Sequence, residues 1–133
     1  MNTVPRSTET ELIAAASTLQ GMLGRRRREI DEARQLPQDL ADQLADQGLY
    51  RLVVPEDLGG LGVSPETFCR ICEVLAEANG SAAWCVFIGA TSQYLFGALP
   101  QTQLEEMLKD PNVITSGVSV SYTHLRAHET DSY

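Results

Sequence analysis

Residues 81–99, SAAWCVFIGATSQYLFGAL, contain no charged side chain, and no other feature restricts this chain as strongly. A helix without a charged face has nothing to offer water, so it must be enclosed by protein on most sides or lie in a bilayer. Its length approaches a membrane span, but Ser81, Gly89, Ala90, Thr91, Ser92, Gln93 and Gly97 lower its hydrophobicity. We therefore expect a central buried helix and no membrane insertion. Ser81 is placed to cap it, and Asn79-Gly80 to end the helix before it.

The flanking segments supply the protein that would enclose it. Thr8 followed by Glu11 has the form of a capping box, which opens a helix by pairing backbone N–H groups that the first turn leaves unbonded. Leu12, Ala16, Leu19, Leu23, Ile30 and Ala33 recur every three or four residues, predicting one long helix to about Gln35, roughly 40 Å at 1.5 Å per residue. Pro37 suits the first position of a second helix, where its missing N–H costs nothing, with Leu40, Ala41 and Leu44 as the buried face and Gly48 as its end. Ser64, Pro65 and Glu66 start a third helix that buries Phe68, Ile71, Cys72 and Leu75. Pro100 opens a fifth, to about Lys109, and Asp110-Pro111 breaks it before VITSGV, which reads as a first β-strand. The expected fold is all-α: an N-terminal helical bundle of about five helices, ending at the first strand of a β-domain.

At 133 residues the chain has room for one hydrophobic core. Its net charge of −8 argues against a nucleic-acid or anionic-membrane surface, which needs a basic face. Arg25, Arg26, Arg27 and Arg28 are consecutive, so on a helix they spread around the circumference, and Glu29, Asp31 and Glu32 follow at once; we read them as a solvated face. The N-terminus lacks a signal peptide's apolar segment and the three cysteines are odd in number, which fits a cytoplasmic, reduced protein with no nucleic-acid or membrane partner.

No catalytic constellation can be assembled. Cys69 and Cys72 lie one turn apart, but a zinc site needs four ligands and no companion pair exists in the helical part, so core packing is the expectation. Glu56-Asp57, beside a proline and glycines, reads as a turn with solvated charges. His124 and His128 have metal-ligand spacing. Residues 120–130, VSYTHLRAHET, however, resemble the conceptual translation of a sequencing-library adapter, so residues 120–133 are expected to be a non-native tail and no metal site is assigned.

Residues 48–62, GLYRLVVPEDLGGLG, are too apolar for a solvent loop, while Pro55 forbids regular strand pairing and Gly59, Gly60 and Gly62 admit unusual backbone angles. An ordered crossover wrapped against the bundle is expected. Set among these helices, with EANGSAAW and VITSGV following, the stretch resembles the crossover of the acyl-CoA dehydrogenase superfamily, over about residues 12–118. The resemblance divides the chain into an N-terminal helical domain, residues 1–110, and the start of a middle β-domain, residues 111–119. It implies a flavoprotein parent, homotetrameric, using FAD to dehydrogenate an acyl-CoA thioester, whose catalytic base lies beyond these residues. GLYRLVVPEDLGG with GSAAW is closer to the flavin-dependent hydroxylases of the same fold, which would use FMN or FAD and oxygen on an aromatic small molecule. By the same resemblance Ser116, Gly117 and Ser119 are candidates for flavin contact, and Trp84 and Ser92 for the substrate slot, with core packing the plainer role for Trp84. The chain alone is expected to show no turnover and little flavin affinity. A non-enzymatic helical binding module is the alternative; it requires no exposed apolar patch, whereas a domain that packs against further parts leaves one open.

Overall fold

The computed structural model describes residues 8–117, and within them every regular element is helical. Six α-helices follow one another: α1 Glu9–Arg25, α2 Arg27–Ala33, α3 Gln38–Asp46, α4 Pro65–Ala78, α5 Gly80–Leu95 and α6 Gln101–Met107. Short 3-10 turns at Leu49–Arg51, Glu56–Leu58 and Phe96–Ala98 join them. No helix among the described residues is long and apolar enough to cross a membrane.

The expected capping box forms: Thr8 accepts from the Glu11 N–H at 3.3 Å, and Glu11 reaches back to the Thr8 N–H at 2.7 Å. The single long helix does not. It breaks at Arg26 (φ −106°, ψ 11°), and α2 stops at Arg34, the one described non-glycine residue with positive φ. The Arg26 guanidinium grips Glu29 at 2.7 Å and also Asp39 in the first turn of α3, so the break is held by a partner on another helix. Ala33, expected on the buried face, is consequently exposed.

Those ion pairs make a pH prediction. Hydrogen bonds from Arg26 hold the Glu29 and Asp39 carboxyls below their ordinary values of 4.5 and 3.8. A carboxyl whose folded pKa is depressed contributes stability above its unfolded pKa and loses it as pH falls through the folded one. The stability difference between wild type and Arg26→Leu, read by urea denaturation, is thus expected at neutral pH, to vanish below the ordinary carboxylate range, and to shrink with added salt.

Glu9 meets Thr67 at the start of α4, and Gln20 meets Glu77 near its end at 2.7 Å, so α1 and α4 run in the same direction. Parallel neighbours need a long return, which α2, α3 and the crossover provide. One core of Leu12, Leu19, Leu23, Leu40, Leu44, Leu49, Leu52, Ile71 and Leu75 fills the space between them. A smaller cluster joins Val54 of the crossover to Leu104 and Leu108.

Between α4 and α5 the chain turns on one residue. Asn79, not Ser81, is the cap: its N–H donates to Leu75 O, ending α4, and its Oδ1 accepts from Ala82 N–H at 2.8 Å, starting α5. Asn79→Ala removes a buried cap, and we expect a loss of about 1–2 kcal/mol in chemical denaturation.

The crossover is ordered and irregular, as expected. Leu61 N–H donates to Arg51 O at 3.0 Å, Gly62 N–H to Val54 O at 2.9 Å and Val63 N–H to Leu52 O at 2.8 Å, so the loop closes on itself. Gly48, Gly59 and Gly62 take φ of 75°, 84° and 53°. VITSGV differs from its expectation, since residues 113–117 form no strand among the described residues. A strand requires a ladder partner, and within these residues the neighbour is a helix. Val118, Ser119 and the adapter-like residues 120–130 with His124 and His128 lie outside the described residues.

Candidate functional site

The site is built on the two faces of α5. Its inner face carries Ala82, Ala83, Val86, Gly89 and Ala90, small residues that let α4 and the crossover approach closely. The Tyr50 ring lies on Gly89, where an added Cβ would sit 2.4 Å from the ring. Burial pushes the Tyr50 phenol up to about 12, so the ring is neutral and acts as packing.

The outer face is open. Trp84 is 63% exposed, Tyr94 70% and Leu95 67%, and Phe87, Leu99 and Ile114 extend the apolar surface. Phe87 stacks on buried Phe68 with centroids 5.5 Å apart and on Trp84 at 5.7 Å, so an aromatic ladder runs from the core to the surface. The charge-free helix is therefore enclosed on one side only by residues 8–117. This corrects two expectations: the helix is not central within these residues, and Trp84 is not a core residue.

After α6 the chain is steered onto α5, along the side that carries Gly89, Ser92 and Gln93. Arg51, only 7% exposed, donates from Nη2 to Leu108 O at 2.7 Å and Asp110 O at 2.5 Å, and from Nη1 to Gly59 O at 3.3 Å. It holds the end of α6 against the crossover; burial lowers its pKa, yet a guanidinium remains protonated at any ordinary pH. Gln93 of α5 then donates from Nε2 to Val113 O at 3.0 Å, and Thr115 Oγ1 donates to Gly89 O at 3.3 Å. Residues 113–117 thus lie along α5, with Gly117 so near Ser92 that an added Cβ would be 3.3 Å from its Oγ.

Of the expected flavin contacts, Ser116 and Gly117 are exposed at the end of this segment, and Ser119 lies outside the described residues. Trp84 and Ser92 are not brought together: Trp84 stands on the open face, and Ser92 is buried under Gly117. Arg51, Gln93 and Thr115 were not anticipated. A lone charge in LYRLVV and a carboxamide in a charge-free helix were the available signals, since polar groups at such positions need a specific partner.

The arrangement forms walls rather than a proton-transfer centre. Cys72 is half-buried against the core, and burial, then Cys69, push its thiol up to about 11; Cys69 itself is exposed, so the pair is not jointly core-packed as expected. Burial also raises the Cys85 thiol. Protonated thiols are poor nucleophiles. Among the described residues no group of three or more His, Cys, Asp or Glu is placed to hold a metal ion.

The chain is 37% identical over 90 residues to indole-3-acetate monooxygenase of Acinetobacter baumannii, covering 67% of this chain and 23% of that protein. Flavin-dependent monooxygenase, oxygenase subunit HsaA, is 30% identical over 106 residues in Rhodococcus jostii, covering 79% of this chain and 27% of that one. The Mycobacterium tuberculosis protein of the same name is 26% identical over 128 residues, covering 96% and 32%. The chain thus spans about a quarter to a third of the length of these relatives. The model of the acyl-CoA dehydrogenase N-terminal domain matches residues 9–109, from the first residue of α1 to just beyond α6, and the chain belongs to that family.

Proposed function

We propose that this domain forms one wall of the active site of a flavin-dependent monooxygenase acting on an aromatic or heteroaromatic small molecule. The observation that carries the reading is that one helix, α5, presents the open face of Trp84, Phe87, Tyr94 and Leu95 and also holds the tethered segment that ends in Ser116 and Gly117. An apolar wall next to a polar, small-residue edge is the surface a planar heteroaromatic group requires. The named relatives favour this over α,β-dehydrogenation of an acyl-CoA thioester, which the family description keeps as the second reading. The open face also favours a domain that packs against further parts over a free-standing binding module.

The flavin, FAD or FMN, supplies the reducing equivalents that activate oxygen when it is bound. Ser116 and Gly117 fit its edge: both are exposed, and the absent Gly117 side chain lets the segment lie close on Ser92. Trp84, Phe87 and Leu95 exclude water from the adjoining space and orient an aromatic ring by stacking and contact. The proton-transfer group, the middle β-domain begun by residues 111–119 and the helices of tetramer assembly belong to other parts of the parent, and residues 120–133 are a non-native tail in this proposal.

The test uses a family-length protein carrying this domain, supplied with reduced flavin, isotopically labelled oxygen and a panel of indoles and phenols. Incorporation of one labelled oxygen atom is expected. Conversion of an acyl-CoA to its enoyl-CoA with an electron-accepting dye, and no oxygen incorporation, would overturn it in favour of dehydrogenation. The 133-residue chain by itself should leave gel filtration colourless.

A further inference from the structure

Gln93 is 3% exposed on the inner side of α5, among Val86, Gly89 and Ala90. Its Nε2 donates to Val113 O at 3.0 Å, while its Oε1 has no hydrogen-bond partner among the described residues. A buried amide satisfied at one end only loses more by desolvating the other end than one neutral hydrogen bond returns. Leucine, of similar size and wholly apolar, would serve the packing at least as well. The carboxamide is therefore not there for stability.

What its one bond does is fix register. In residues 113–117 side chains alternate: Val113 and Thr115 are half-buried, and Ile114 and Ser116 are exposed. A slip of one residue would move the segment by about 3.3 Å and turn Ser116 toward the helix. The Gln93 bond to Val113 and the Thr115 bond to Gly89 O tie the segment at two points and forbid that slip. We propose that Gln93 is a positioning residue, setting where Ser116 and Gly117 stand along α5. This rests on the reading of those two residues as the flavin edge.

The first test needs no flavin. In the 133-residue chain, Gln93→Leu should lower the NMR order parameters of the amides of residues 114–117 from a rigid value near 0.85 to below about 0.6, with the melting temperature unchanged or raised. Thr115→Val should loosen the same amides. Unchanged order parameters in Gln93→Leu would overturn the proposal, as would a melting temperature lower by more than about 8 °C, the mark of an ordinary core residue. In a family-length protein, Gln93→Leu should raise the Kd for FAD or FMN about tenfold, roughly 1.4 kcal/mol, and Gln93→Glu, which lacks the donor, should not rescue it. If wild type binds flavin and Gln93→Leu binds it equally, the positioning role fails alone. If wild type binds neither flavin while the order parameters respond, the site assignment fails and the register clamp stands.

Discussion

Gly60→Ala is expected to cost about 3 kcal/mol or more, a large fraction of the stability of a domain this size. A Cβ at Gly60 would lie 2.0 Å from the carbonyl oxygen of Val54 and 2.4 Å from its carbonyl carbon. These are backbone atoms, so no rotamer change relieves the clash. Nor can either strand of the loop retreat. Gly60 N–H is bonded to Pro55 O at 3.0 Å and Gly62 N–H to Val54 O at 2.9 Å, while Val54 itself is buried against Leu104 and Leu108. Gly62→Ala is the control, because beyond the positive φ of 53° its Cβ meets only the Glu56 side chain, at 3.2 Å, which can move aside, and about 1–2 kcal/mol is expected there. Thermal and urea melts of the two variants give the comparison. A Gly60→Ala protein melting within about 3 °C of wild type would show that the loop does not pack as described.

Arg51→Met should cost about 2–4 kcal/mol, the second largest effect. The methionine keeps most of the apolar stem but strips donors from Leu108 O, Asp110 O and Gly59 O. Charge-assisted bonds to carbonyls are the strong kind, and part of their worth is offset by burying a guanidinium with no carboxylate bonded to it. Arg51→Lys is expected to recover less than half of the loss. An ammonium is a point charge and cannot span carbonyls from the crossover and the end of α6 together. The damage should spread beyond stability. With the end of α6 released, residues 113–117 lose one of the anchors that bring them onto α5, so the Arg51→Met chain should also show lowered order parameters there. Full recovery by lysine would mean that charge alone, not the three-carbonyl geometry, does the holding.

Much of the helical framework was legible because its determinants are local. The Thr8–Glu11 box and the Ser64 cap, which accepts from Thr67 N–H at 3.2 Å, act over three residues. The apolar spacing of Leu12, Leu19 and Leu23, or of Phe68, Ile71 and Leu75, needs only the helical repeat to be read. The crossover was legible for another reason: Pro55 and the glycines rule out helix and strand, while the apolar residues around them rule out solvent.

Failures fall where a distant partner decides. Periodicity continues through Arg26, but Asp39, on a different helix, holds the break. Ser81 and Asn79 are both good caps in isolation, and only the tight corner between α4 and α5 selects Asn79. The candidate site was legible only as a region. Ser116 and Gly117 were placed by resemblance, whereas Arg51, Gln93 and Thr115 act through carbonyls far away in the chain, which no spacing rule reaches.

The sequence by itself determined that this chain forms helices, where most of them begin, and that residues 81–99 require cover, because propensity, capping and charge are properties of a few neighbouring residues. Which face of that helix is covered, where the long first helix breaks, and how residues 113–117 are pinned beside Gly89, Ser92 and Gln93 were decided only by tertiary structure. Those outcomes depend on hydrogen bonds and close contacts between residues tens of positions apart, which exist only once the helices have packed.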